Sequence, residues 1–157
     1  MSPRHFVPAR LLAEAREACG GLDDFGDDSF RPALEMLCGA LDQEGQLSEI
    51  GRYALHQKLL GQLSNRLRLE RDFREHPEIA RETLAPPLVI VGLPRTGTTK
   101  LHRLLARDPR FWWMAFWESQ FPLPFPGEFP GQPRARVEEG HRLVEMMPTA
   151  MPKLMAI

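Results

Sequence analysis

The chain has little that would fix it from outside. Its 157 residues hold two cysteines, Cys19 and Cys38, in separate helical patterns. They suggest neither a disulfide framework nor a zinc site, and they read as small buried hydrophobes. The five histidines are scattered without paired ligand spacing, so no metal is expected. A formal charge of −1 gives no global basic field, and binding a polyanion would need a local patch. No apolar run approaches the ~20 residues needed to span a bilayer. The start, Met-Ser-Pro-Arg-His-Phe, lacks the apolar core of a secretory signal, so the expected compartment is the cytoplasm. What remains is ordinary for a soluble globular protein: 43% hydrophobic and 26% charged residues.

The first half carries helical periodicity. Leu11, Leu12, Ala15 and Ala18 form one stripe, stopped by Gly20-Gly21. After the acidic stretch Leu22 to Asp28, Ser29 is an expected N-cap for a helix carrying Leu34, Leu37, Cys38 and Leu41. Gly45 ends it. Ser48 can cap a longer helix reaching about Phe73, with Leu55, Leu59, Leu60, Leu63 and Leu67 apolar. Arg66, Arg68, Arg71 and Arg74 interleave with Glu70, Asp72 and Glu75, which predicts a solvated face with local ion pairs and no nucleic-acid partner. The organisation expected is a helical region over residues 1–85 and an α/β region over 86–157.

The chemistry concentrates in Leu88 to Thr99, Leu-Val-Ile-Val-Gly-Leu-Pro-Arg-Thr-Gly-Thr-Thr. The apolar run Leu88 to Val91 reads as a buried parallel strand. Gly92 and Gly97 are the flexible points of a turn, and a helix resumes at Thr98. Strand, glycine-bearing turn and helix start make an anion cradle, because backbone N–H groups converge there and the helix dipole favours negative charge. The spacing Gly92-x4-Gly97 matches a phosphate loop except that Thr98 replaces the lysine. An ATP or GTP hydrolase needs that lysine against its phosphates, so a nucleotide kinase-like enzyme is disfavoured. A cation enters instead at Arg95.

Pro94-Arg95-Thr96-Gly97-Thr98-Thr99 resembles the 5′-phosphosulfate loop of sulfotransferases, which use 3′-phosphoadenosine 5′-phosphosulfate (PAPS) as donor. Arg at position 95 fits the carbohydrate and many bacterial members, where many cytosolic ones carry Lys. Weaker matches to the bacterial type with a helical N-terminal region run from about residue 20 onwards. They are Asp23-Asp24-Phe25-Gly26-Asp27-Asp28, Asn65-Arg66-Leu67, His76-Pro77-Glu78-Ile79, Asp108-Pro109 and Trp117-Glu118. The resemblance implies an α/β fold of the P-loop nucleoside-triphosphate-hydrolase-like sulfotransferase type, preceded by a helical region. It implies PAPS as co-substrate, bound by Pro94, Arg95, Thr96, Gly97, Thr98 and Thr99, with no metal. Family members continue well beyond residue 157, with further strands and the Arg and Ser that hold the 3′-phosphate. The chain therefore reads as an N-terminal fragment with an incomplete sheet, whose open strand edges invite self-association.

For sulfuryl transfer Arg95 is the expected catalytic cation at the leaving phosphate, and Lys100 has either an electrostatic or a surface role. Glu118 closes the apolar run Phe111 to Trp117, read as a second buried strand. Burial there would raise a carboxyl towards the range of a general base; the alternative is a structural partner for an arginine. His102 and His141 are rival bases. Trp112, Trp113, Phe116 and Trp117 are either core or the wall of an acceptor pocket for a small molecule, glycan or lipid. The five-proline stretch Phe121 to Pro133 reads as an extended loop, and Arg134 to Met146 as an amphipathic helix with Val137, Leu143 and Val144 buried. A non-catalytic remnant, binding phosphate or a protein partner, is the alternative to the enzyme.

Overall fold

The computed structural model describes residues 5–93, 95–125, 127–129 and 131–150, with Thr149 and Ala150 as backbone alone. Residues up to Arg81 form one compact unit and those from Glu82 onwards another.

Among its described residues the first unit has three α-helices, α1 (Pro8–Ala18), α2 (Phe30–Gln43) and α3 (Glu49–Glu75), and a 3₁₀ turn over Ile79–Arg81. Pro8 opens α1, where its missing N–H costs nothing. Gly20 and Gly21 close it with positive φ of 68° and 91°, and the Gly21 N–H donates to the Arg16 carbonyl at 2.8 Å. Ser48 caps α3 by accepting the Gly51 N–H at 3.1 Å. Leu59, Leu63 and Leu67 of α3 close on Leu11, Leu12 and Ala15 of α1, with Phe6, Phe25, Leu34 and Cys38 completing the core. Each leucine or phenylalanine among them contributes about 1.5–3 kcal/mol when fully withdrawn from water. His56 is buried in this packing and its Nε2 lies 2.9 Å from Glu14 Oε2. Cys38 is in the core, and half-buried Cys19 donates its thiol to the Ser64 carbonyl.

Two local expectations change here. Ser29 stands at the N-cap position of α2 in helical backbone and makes no side-chain cap. Its own N–H is taken by Asp27 Oδ1 at 3.0 Å, so the acidic stretch organises the helix entry. Arg66 is not simply a solvated charge on α3. It donates to the carbonyls of Phe25 (2.5 Å) and Asp27 (2.8 Å), and its guanidinium lies 4.4 Å from the Phe30 ring centroid. The acidic segment is thereby fastened to α3.

In the second unit no strand forms among the described residues; its helices are α4 (Thr98–Leu105), α5 (Phe116–Gln120) and α6 (Arg134–Ala150). Leu88 to Val91 does not pair as the buried strand its composition suggests: Leu88 is 61% exposed and Val91 87%. An extended run becomes a strand only when a neighbour accepts from its N–H groups and donates to its C=O groups, and no described residue offers a ladder. The aromatic run is likewise not a strand. Residues 111–115 are irregular, Phe116 and Trp117 open α5, and Trp112 and Trp113 are exposed. The proline-rich stretch turns twice rather than running extended, with positive φ at Gly127 and Gly131. Helix α6 reaches Ala150, past the expected end at Met146, and Val144 is exposed, whereas Val137 and Leu143 are half-buried.

Candidate functional site

The bend between Val91 and Thr98 is open to solvent and tightly folded. Gly92 is there for space, not for an unusual φ. A Cβ on it would stand 2.8 Å from both Thr96 Oγ1 and Thr98 Cγ2. Thr96 folds back on the chain, its hydroxyl donating to the Leu93 carbonyl at 2.7 Å. Arg95 is in left-handed backbone at φ 69°, an uncommon conformation for a side chain-bearing residue. Gly97, at φ 90°, is the N-cap of α4, and its carbonyl takes the Leu101 N–H at 3.0 Å. The amides of the first turn, Thr98 to Lys100, have no partner one turn back within the helix, and they face the bend at the positive end of the dipole. Arg95, Thr96, Gly97 and Thr99 are exposed and Thr98 is half-buried. Pro94, expected in the cradle, lies outside the described residues.

Along α4 an open groove of about 400 Å³ is lined by Thr99, Lys100, Arg103, Leu104 and Arg107. Lys100 and Arg103 stand on the helix that begins at the cradle, and Arg107 follows just past its end. His102 is exposed on α4 and His141 is exposed on α6.

Glu118 is on a different element. It is half-buried in α5, and its Oε2 accepts the Ala115 N–H at 2.6 Å, the carboxylate half of a capping box. Its observed partner is a backbone amide. Helix α5 packs on α6. At that contact a Cβ on Gly140 would lie 2.5 Å from the Trp117 Cβ, so only glycine admits the indole.

Sequence reasoning missed Glu128 and Arg136. The Arg136 Nε donates to Glu128 Oε2 at 2.7 Å, with side chains only 15% and 6% exposed. Glu128 also accepts the N–H of Phe125 (2.9 Å) and of Arg136 itself (3.1 Å), the latter in the first turn of α6. Arg136 Nη1 donates to the Phe121 carbonyl at 3.1 Å, and its guanidinium lies 5.1 Å from the Trp117 ring centroid. Desolvation pushes the Glu128 carboxyl up. The amides of Phe125 and Arg136 and the Arg136 charge outweigh it and hold the group below its ordinary value. The only signal in the sequence was a lone acid between two turn glycines, eight residues before an arginine in the first turn of a helix.

A family model described as "Sulfotransferase family" matches residues 86–156, from Pro86 through the cradle to α6. The solved structure of sulfotransferase STF1 from Mycobacterium tuberculosis H37Rv aligns at 34% identity with a TM-score of 0.67, covering 90% of this chain. Residues 86–156 thus match the sulfotransferase family, and the likeness to a sulfotransferase structure extends over most of the chain. The chain spans 38% of the length of that mycobacterial sulfotransferase. No curated protein matches it. The sulfotransferase match reaches into both units, so the helical region belongs to the likeness and is not only a preface to the loop. Among the described residues no group of three or more His, Cys, Asp or Glu could hold a metal ion, and no helix is long and apolar enough to cross a membrane.

Proposed function

We infer that the chain carries the donor half of a PAPS-dependent sulfotransferase site, which transfers a sulfuryl group to a hydroxyl or amine acceptor. The observation that carries this reading is the cradle itself. A left-handed Gly97 caps α4, and Gly92 has no room for a side chain beside Thr96 and Thr98. That geometry fits the 5′-phosphate of the donor. The amides of Thr96 to Thr99 would hold its oxygens, with the hydroxyls of Thr98 and Thr99 as further donors.

The acceptor oxygen or nitrogen bonds to sulfur as the bond from sulfur to the bridging oxygen breaks. That oxygen keeps the electron pair and departs on the 5′-phosphate. Arg95 is assigned to this growing charge, where its planar fork can make two charge-assisted bonds. Glu118 is assigned the acceptor proton. Its carboxylate is made and oriented in α5, and taking a proton would weaken its bond to the Ala115 N–H. The aromatics of residues 111–117 and the proline-rich loop are assigned to the acceptor side, for a small molecule, glycan or lipid.

The exposed run Leu88 to Leu93, with no ladder among the described residues, favours a second reading: a phosphate-binding module without turnover. Calorimetry separates the two. 3′-Phosphoadenosine 5′-phosphate should bind more tightly than ATP or inorganic phosphate, and sulfate transfer from PAPS should be measurable. Arg95→Ala should lower transfer by about 100-fold or more, the scale of removing a preorganised charge donor. Near-normal rates in that variant would remove Arg95 from the mechanism. Binding of the bisphosphate without transfer by the parent chain would favour the module.

A further inference from the structure

Helix α5 has five residues, too few to persist on its own. It is held at both ends by side chains. At its start Glu118 accepts the Ala115 N–H. At its end Arg136 donates to the carbonyl of Phe121, the C-cap residue, and places its charge where the helix dipole is negative. Arg136 is itself fixed by Glu128, its guanidinium lies 5.1 Å from the Trp117 ring centroid, and the Cβ of Trp117 is seated against Gly140. The start of the helix is therefore held by the group assigned to take a proton. A carboxylate that becomes a carboxylic acid gives up much of its attraction for an amide.

We propose that Arg136 is a positioning residue for Glu118: it holds α5 from the far end, so that the carboxyl can gain and lose a proton without the helix unwinding. The role rests on the reading of Glu118 as the base. Glu128 serves it by fixing the guanidinium, and Gly140 by seating Trp117. Neither Arg136 nor Glu128 needs to touch substrate.

The test is a double-mutant cycle on the full chain, labelled with ¹⁵N. It reads hydrogen exchange at the amides of Ser119 and Phe121, which donate to Ala115 and Trp117 within α5. Glu118→Gln imitates the protonated group. Alone it should change exchange by no more than about twofold, and Arg136→Gln alone should speed it roughly tenfold, as expected for losing a charge-assisted hydrogen bond. Together they should exceed the product of the two. Amides at Leu63 and Leu67 in the first unit report that the chain remains folded. Arg136→Lys should recover part of the protection. Should Arg136→Gln unfold the second unit, Gly140→Ala disturbs the same seat from α6 and should couple to Glu118→Gln in the same way. Exchange in Arg136→Gln equal to the parent, or single effects that simply multiply, overturns the proposal.

Turnover separates it from the reading beneath it. Arg136→Gln should lower kcat with the donor KM held within about twofold. A fall confined to donor affinity counts against positioning. If Glu118→Gln leaves kcat unchanged, the base assignment fails, whatever the exchange data show about α5.

Discussion

The two units differ in the physics that holds each of them. Every buried hydrophobic side chain among the described residues lies in the first unit, from Phe6 to Leu67. The second unit buries Gly140 against Trp117 and a carboxylate–guanidinium pair between loop and helix. Dispersion and water exclusion hold the helical region. A few directional contacts hold the region that carries the candidate chemistry. The proposed chemistry thus falls where apolar contact is thin, the kind of region that opens most readily in a fold.

The largest expected effect lies in the first unit. Leu67 is 1% exposed in the seam between α1 and α3. Leu67→Ala should destabilise that unit by about 2–5 kcal/mol, read as a lower urea midpoint for the helical signal. The amides of α5 and α6 should keep their exchange rates. If they accelerate in step, the two units unfold as one and the contrast is wrong.

Gly140→Ala is the matching change in the second unit. The added methyl would meet Trp117, and overpacking of this kind costs about 1–3 kcal/mol. The loss should appear at Ser119, Phe121 and the start of α6, with Leu63 and Leu67 unmoved. An unchanged second unit would mean that Trp117 has another place to go.

The same contrast explains what could be read from sequence. Leu11, Leu12 and Ala15, the Gly20-Gly21 stop and the Ser48 cap are local signals, and each acts where its residues predict. The cradle is also local: Gly92 to Thr99 folds on itself within a few residues. Even there, the reason for Gly92 is the space beside Thr96 and Thr98, which spacing alone does not reveal. Leu88 to Val91 has strand composition but no ladder among the described residues, because composition states a preference that only a partner strand can satisfy. Glu128 and Arg136 were overlooked because their meaning comes from turns at Gly127 and Gly131 that bring the loop back onto α6. For Glu118 the sequence offered a buried strand end or an arginine partner, while the structure pairs it with the Ala115 amide.

Acid offers the gentlest way to test the comparison, because in each unit a carboxylate held below its ordinary value ties a loop to a helix. Asp42 accepts the Phe6 N–H at 2.9 Å and an Arg52 hydrogen at 2.5 Å; Glu128 serves Phe125 and Arg136. Burial opposes the charge at both, yet hydrogen bonds and neighbouring cations hold both below their ordinary values. A group depressed on folding binds its proton more readily in the unfolded chain. Its stabilisation is therefore complete above the unfolded value, about 4.3 for a glutamate, and is lost as pH falls through the folded one. The consequences should differ. Losing Asp42 leaves the apolar core of the first unit in place, whereas protonating Glu128 releases Phe125 and loosens Arg136 from the end of α5. Titration from pH 6 to 2, followed by amide signals, should therefore disorder residues 121–136 before α1 and α3. Glu128→Gln should remove most of that early step, because it has no proton to gain. An early step that survives in Glu128→Gln would assign it to another carboxylate, Asp108 beside Arg110 being the other depressed one in this unit.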